Sequence, residues 1–362
     1  MSKKKLAILG IVGVPANYGG FETLVDNLLD LLPKYFEITI YCESKSYPEK
    51  LDSYKEAKLV FLEYKANGAG SILYDSISLI KTYRSQDFIL LLGVSGAIMI
   101  PFLKPFAKAK IVTHIDGLEW KRDKWGTLAK RFLKFSESIA VRFSHAIISD
   151  NKHIYNYVHE EYNKKSYLIA YGANHVKQVD PAAYIRKYSF ITSPYIFTVC
   201  RIEPENNIEL QLKVFSENEL NIPYIIVGNW DSSEYGMRLY KKYSTKKNVI
   251  LYNPIYTSEE LNVLRSNCYY YLHGHSAGGT NPSLVEAMYL GLPIIAFGVN
   301  YNRETTFNQA IYFNDSHELL EKLQKLDEYN RDDISNLMFN LARKNYSWMA
   351  INDKYVNMLR SL

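Results

Sequence analysis

The stretch HGHSAGGTNPSLVEAMYLGLPIIAFG, residues 273–298, decides how the chain is read. A strand-like run, CYYYLHG, delivers the backbone into a loop of small residues, SAGGT. A helical segment follows at once, then Gly-Leu-Pro and a second apolar strand. Pro282 suits a first helical turn, where its missing N–H costs nothing. Gly278 and Gly279 let the backbone approach a ligand closely. The amides of Ser283, Leu284 and Val285 are expected to be free at the positive end of the helix dipole, which makes a site for an anion such as a diphosphate. Glu286, one turn further in, is placed to accept hydrogen bonds from sugar or ribose hydroxyls. The alternative is a tight structural turn that holds no ligand.

Strand-then-helix alternation extends in both directions from this segment. KLAILGIV, FEITIYC, AKLVFLEY, DFILLLGV, AKIVTHID and SHAIISD read as strands in the first half. YIFTVC, IPYIIVG, KNVILYN, CYYYLHG, PIIAFG and AIYFN form a second series. Helical stretches are expected around 206–217, 233–243, 258–266, 282–290 and 316–326. Such alternation implies parallel sheets with crossover helices, the doubly wound class. A chain of 362 residues is long enough for two such domains. The expected division is 1–172, a polar linker at 173–193, 194–345, and a C-terminal helix at 346–362 that closes the second domain or crosses back to brace the first. Ligands of open α/β sheets sit at the carboxyl ends of strands, so two domains facing across a cleft are expected to share a site.

Three further segments carry candidate chemistry. In VCRIEPENNIELQL, Arg201 leaves a strand at its carboxyl end, where a guanidinium neutralises phosphate oxygens or pairs with Glu203 or Glu205. Asn206 and Asn207 are candidate caps for the helix that follows. In IVGVPANYGGFETL, Tyr18, Gly19 and Gly20 precede a helix in phosphate-loop fashion, without the spacing of a dinucleotide fingerprint or the Lys-Ser/Thr of a P-loop. In VTHIDGLEW, His114 and Asp116 stand at a strand end, either as structural groups or as a pair that handles an acceptor hydroxyl.

Composition narrows the classes. Apolar residues make 47% of the chain and charged residues 22%, a globular balance that excludes low-complexity disorder. Cys42, Cys200 and Cys268 are too few and too scattered for a disulfide framework or a zinc site, so buried thiols in a reducing cytoplasm are expected. The N-terminal apolar run is broken by glycine and proline and lacks a small-residue cleavage site, so it reads as a first strand rather than a signal peptide. Residues 88–103 are shorter than the ~20 residues of a spanning helix. Net charge is +5, with Lys104, Lys108, Lys110, Lys121, Arg122, Lys124, Lys130, Arg131, Lys134 and Arg142 concentrated in one region. That region is a solvated helix face or a surface for anionic lipid or a phosphate-bearing acceptor. Leu128, Phe132, Phe135 and Ile139 recur at helical spacing and read as core contacts. No Asp-x-Asp, His-Glu-x-x-His or Cys-x-x-Cys motif occurs.

Taken together, GVPANYGGFETLV, THIDGLEWKRDKWG, FSESIAVRFSHAIISDN, IAYGA, RIEPENNIELQL and HGHSAGGTNPSLVEAM resemble the two-domain glycosyltransferases of family 4. Within that family they look like the bacterial rhamnosyltransferase branch of capsule and cell-wall polysaccharide assembly. The resemblance covers nearly the whole chain and implies a GT-B fold, in which two Rossmann-like domains face each other and the terminal helix crosses back to the first. It implies a retaining, metal-independent transfer, with no cofactor beyond the nucleotide-sugar co-substrate, for this branch dTDP-L-rhamnose. The second domain would bind that donor through Arg201, Asn206, Gly278, Gly279, Thr280, Asn281, Pro282, Ser283, Leu284 and Glu286. The first would bind a polyprenyl-diphosphate-linked saccharide through Tyr18, Gly19 and Gly20, with His114 and Asp116 as the catalytic pair. The expected setting is the cytoplasmic face of the plasma membrane, on its anionic surface, with no nucleic-acid partner. The chain departs from the family pattern at Gly278, where the first of two glutamates falls, and at Asn206, where a lysine falls. Alternatives are a UDP-hexosamine, UDP-GlcNAc or UDP-galactose donor, a non-catalytic nucleotide-sugar-binding scaffold, and a sugar epimerase.

Overall fold

The computed structural model describes residues 3–16, 19–115, 117–121 and 125–362. The chain divides into two compact units. The first comprises the residues up to Lys121, Trp125–Tyr171 and Trp348–Leu362; the second comprises Gly172–Ser347.

In the first unit the strands are β1 (Lys4–Leu9), β2 (Phe36–Glu43), β3 (Ser53–Tyr54), β4 (Ala57–Leu62), β5 (Phe88–Leu92), β6 (Lys110–Ile115), β7 (Ala146–Ser149) and β8 (Tyr167–Leu168). They form one sheet in the order β3-β4-β2-β1-β5-β6-β7-β8. All neighbours are parallel except β3 with β4. β5 is buried along its whole length, as a central parallel strand covered on both faces must be. The short β3 and β8 carry too few residues to give a periodic signal. The C-terminal helix, Trp348–Ser361, belongs to this unit and buries Ile351, Tyr355, Val356, Met358 and Leu359.

In the second unit β9 (Ile196–Val199), β10 (Tyr224–Val227), β11 (Val249–Tyr252), β12 (Tyr270–His273), β13 (Ile294–Phe297) and β14 (Ile311–Phe313) form an entirely parallel sheet in the order β11-β10-β9-β12-β13-β14. This is the doubly wound order, with its switch point between β9 and β12. Expected helices are found at Ile208–Glu217, Glu234–Tyr243, Ser258–Ser266, Pro282–Tyr289 and Ser316–Gln324. A further helix, Arg331–Asn345, packs against Pro282–Tyr289, with the Tyr289 and Phe339 rings 5.8 Å apart.

Two expectations are corrected. Residues 173–193, read as a linker, pack onto the second unit. Gln178 donates to the Ser266 carbonyl at 3.0 Å, Asn267 donates to that of Val179 at 2.9 Å, and Tyr188 is buried. The polar composition that looked like a linker supplies these hydrogen bonds. The other correction concerns the helix Thr127–Phe143, which buries Leu133, Ser136, Glu137, Ala140 and Val141. Leu128 and Phe135, read as core, are 82% and 58% exposed. The buried face carries Glu137 because its carboxylate accepts from Trp120, Tyr157 and Tyr162.

Candidate functional site

Two sequence segments about seventy residues apart meet in the second unit. Ser276 donates its amide and its hydroxyl to the Glu205 carbonyl, at 2.8 and 2.9 Å. Asn207 Nδ2 donates to the Gly274 carbonyl at 2.9 Å. Residue 274 must be glycine, because a Cβ there would lie 1.9 Å from Gln211 Nε2 and 2.2 Å from the Asn206 carbonyl oxygen. The turn after β9 and the loop after β12 are thus bound into one rim at the carboxyl ends of the two central strands.

Arg201 stands on this rim. Its backbone carbonyl accepts from Asn206 Nδ2 at 2.5 Å. Its side chain is exposed and makes no ion pair among the described residues, so the expected pairing with Glu203 or Glu205 does not form. Neither Asn206 nor Asn207 caps the next helix through its side chain. Asn207 sits in the left-handed region at φ 52°, which turns its amide toward Gly274 instead. Gln211 Nε2 holds both the Asn206 and Asn207 carbonyls, at 2.9 and 3.1 Å. Asn206 is buried and acts as a clasp for the turn, so it does not stand in for a cation. Glu205 is buried beside it, and neither carboxylate oxygen has a hydrogen-bond partner among the described residues.

The helix start differs from expectation. Asn281 is the N-cap: its Oδ1 accepts from the Ser283 amide at 3.0 Å and the Ser283 hydroxyl at 2.8 Å. The Leu284 and Val285 amides both donate to the Asn281 carbonyl. The three amides expected to be free are therefore occupied, because an asparagine before Pro282 caps the first turn from within. Among the described residues, several amides of the preceding loop make no hydrogen bond to protein, those of Gly278 and Gly279 among them. Gly278 adopts φ +136°, which excludes a side chain on backbone grounds although the space beside it is open. Thr280 is mostly buried and Leu284 wholly so.

Glu286 is bound on both oxygens: Arg265 Nη1 lies 2.6 Å from one and His175 Nε2 lies 3.1 Å from the other. Burial alone would raise its pKa, but the Arg265 guanidinium and His175 outweigh that and hold the carboxyl below its usual range. Sequence reasoning missed Arg265 and His175. Arg265 lies in the last turn of the helix Ser258–Ser266, and His175 lies in the segment taken for a linker. On the next strand, His273 is buried and stacks on His275 at 4.8 Å. Burial pushes its pKa down to about 3, against the opposing hydrogen bond to Asn302.

The first-unit candidates are placed as follows. His114 is the penultimate residue of β6, buried, with Nδ1 3.0 Å from the Tyr355 hydroxyl of the C-terminal helix and the Phe21 ring 5.2 Å away. Burial pushes it down to about 3. The imidazole is therefore neutral at neutral pH. Asp116 and Tyr18 lie outside the described residues. Gly19 is the N-cap of helix Gly20–Leu28 at φ 23°. Glu22 accepts from the Val12 amide at 2.8 Å and Asp26 from the Ala16 amide at 2.9 Å. Asp26 is also paired with Lys55 Nζ at 2.7 Å. Among the described residues no group of three or more His, Cys, Asp or Glu side chains is placed to hold a metal. No described helix is long and apolar enough to cross a membrane.

Residues 184–336, which contain the whole rim, match the family described as Glycosyl transferases group 1. Residues 3–174 match a domain of unknown function, DUF1972. The chain as a whole has the GT-B fold, shared with three solved structures. Sucrose-phosphate synthase from Thermosynechococcus elongatus is 14% identical with a TM-score of 0.84, and 99% of each chain is covered. Anabaena HepE in complex with UDP-glucose is 14% identical with a TM-score of 0.78, covering 99% of this chain and 100% of that one. Trehalose 6-phosphate synthase from Burkholderia multivorans is 10% identical with a TM-score of 0.75, covering 99% and 97%. A comparison with curated proteins finds no match.

Proposed function

We propose that the protein is a retaining, metal-independent glycosyltransferase. It takes L-rhamnose from dTDP-L-rhamnose and places it on a polyprenyl-diphosphate-linked saccharide, in surface polysaccharide synthesis at the cytoplasmic face of the plasma membrane. The observation that carries the reading is the union of the Arg201 turn with the Gly278–Gly279 loop through Ser276 and Glu205. A guanidinium without an ion pair and two unengaged amides on one rim are what a donor diphosphate requires.

As the glycosidic bond to the donor breaks, negative charge grows on the leaving diphosphate. Arg201 and the Gly278 and Gly279 amides stabilise that charge, so the chain supplies positioning and electrostatics rather than a nucleophile. The leaving phosphate, not His114, takes the proton of the acceptor hydroxyl. His114 serves as a neutral hydrogen-bonding group held by Tyr355, and Asp116 orients the acceptor. Glu286, kept anionic by Arg265, accepts from ribose or sugar hydroxyls with its remaining lone pairs.

A second reading, a UDP-sugar donor, is favoured by the solved complexes of Anabaena HepE with UDP and UDP-glucose. Thermal unfolding with each donor separates the two. A rise in Tm with dTDP-L-rhamnose and none with UDP-glucose supports rhamnose; the reverse pattern replaces it. No rise with either, and no transfer to a lipid-linked acceptor, rejects the transferase reading.

A further inference from the structure

The outward side of the helix Thr127–Phe143 carries Leu128, Arg131, Phe135, Ser138 and Arg142. Their spacing of three, four, three and four residues aligns them in one stripe, opposite the buried face. Such a stripe on a solvated helix is normally polar; here two of its members are large apolar side chains left largely in water. Arg131, Phe135, Ser138 and Arg142 of the stripe form a wall of a cavity of about 650 Å³, which Trp120, Lys121 and Tyr162 also line.

The charge in this cavity is one-sided. Lys121, Lys130, Arg131, Lys134 and Arg142 line it against one carboxylate, Glu161. That carboxylate is already taken, 3.0 Å from Lys134 Nζ. Lys134 is fixed as a floor, with its ammonium 4.8–5.0 Å from the Trp120, Tyr157 and Tyr162 rings. Lys121, Arg131 and Arg142 are exposed and make no ion pair among the described residues.

We propose that this face is a docking surface for an anionic bilayer, with the cavity seating a phospholipid headgroup phosphate while Leu128 and Phe135 enter the acyl boundary. The inference rests on the membrane setting proposed above and assigns it to particular residues. Unpaired cations around a cavity complement a phosphate, and apolar side chains interleaved with them gain by leaving water where an interface lies alongside. A soluble phosphorylated ligand would account for the cations but not for the exposed Leu128 and Phe135, so the bilayer is the occupant the stripe favours.

The test is sedimentation of the full-length protein with phosphatidylcholine vesicles, with and without phosphatidylglycerol. Wild type is expected to bind only the phosphatidylglycerol vesicles, and less so as salt is raised. Leu128→Ser with Phe135→Ser, and separately Arg131→Glu with Arg142→Glu, are each expected to weaken binding about tenfold or more. These positions are exposed, and circular dichroism verifies that the variants fold. Failure of wild type to bind, or wild-type binding by either variant, overturns the proposal. So does complete competition by soluble glycerol phosphate, which would make the cavity a site for a free phosphate ester. Donor-induced thermal shifts are read on the same proteins. An unchanged shift in variants that no longer bind vesicles separates this surface from the donor rim; absence of the shift in wild type counts against the transferase reading alone.

Discussion

Arg265 Nη1 lies 2.6 Å from the Glu286 carboxylate inside the second unit, and both side chains are buried. A buried ion pair contributes little net stability, but removing one partner strands the other charge in a poorly polarisable interior.

Arg265→Leu is therefore expected to lower the stability of the second unit by about 3–5 kcal/mol. Arg265→Met combined with Glu286→Leu is expected to recover most of that loss, because no charge remains unpaired. Thermal unfolding of the single and double variants checks this. The pair also sets an acid limit. Glu286 titrates below the ordinary ~4.3 of a glutamate, so its contribution is complete above that value and is lost as pH falls through the folded-state pKa.

Arg201→Ala is expected to leave Tm unchanged, since the side chain is exposed and unpaired, and to weaken donor binding by about 1.5–3 kcal/mol, the range for a hydrogen bond to a charged group. Calorimetric titration of the nucleotide-sugar measures it. An unchanged affinity would remove Arg201 from the donor site.

Two glycines of one loop are expected to fail for different reasons. Gly274→Ala collides with the Asn206 carbonyl and the Gln211 amide, and so separates the Arg201 turn from the glycine loop. Gly278→Ala meets open space and costs only the strain of φ +136°, of order 1–3 kcal/mol. Donor affinity should fall further in Gly274→Ala, and comparing affinity with Tm across the two variants tests that ordering.

His114 and His273 are both pushed to about 3 by burial. Between that value and an ordinary ~6.5, the unfolded chain binds protons that the folded chain does not. Stability is then expected to fall as pH drops below ~6.5, by at most about 1.4 kcal/mol per pH unit for each histidine. His114→Gln, which does not titrate, should flatten the slope for the first unit by one such increment. Urea unfolding at neutral and mildly acidic pH measures it.

The doubly wound character of both halves was legible from the chain alone, because a parallel strand buried on both faces must be a continuous apolar run between amphipathic helices. DFILLLGV and IPYIIVG could hardly be read otherwise. The loops of the rim were legible as loops for a related reason: small residues after an apolar run break both the strand and the helix pattern. Asn281 as a cap, Asn206 as a clasp, and Arg265 and His175 as the partners of Glu286 were not legible. Each depends on which carbonyl, amide or carboxylate lies within about 3 Å, and sequence distance says nothing of that.

The sequence by itself determined the order of the main strands and helices and the doubly wound class of both halves, since these follow from periodicity. Only the tertiary structure decided which amides are spent within the protein, which carboxylate is already paired, and which face of the helix Thr127–Phe143 meets water. Those outcomes belong to contacts between distant residues, whose energies depend on burial and geometry rather than on residue type.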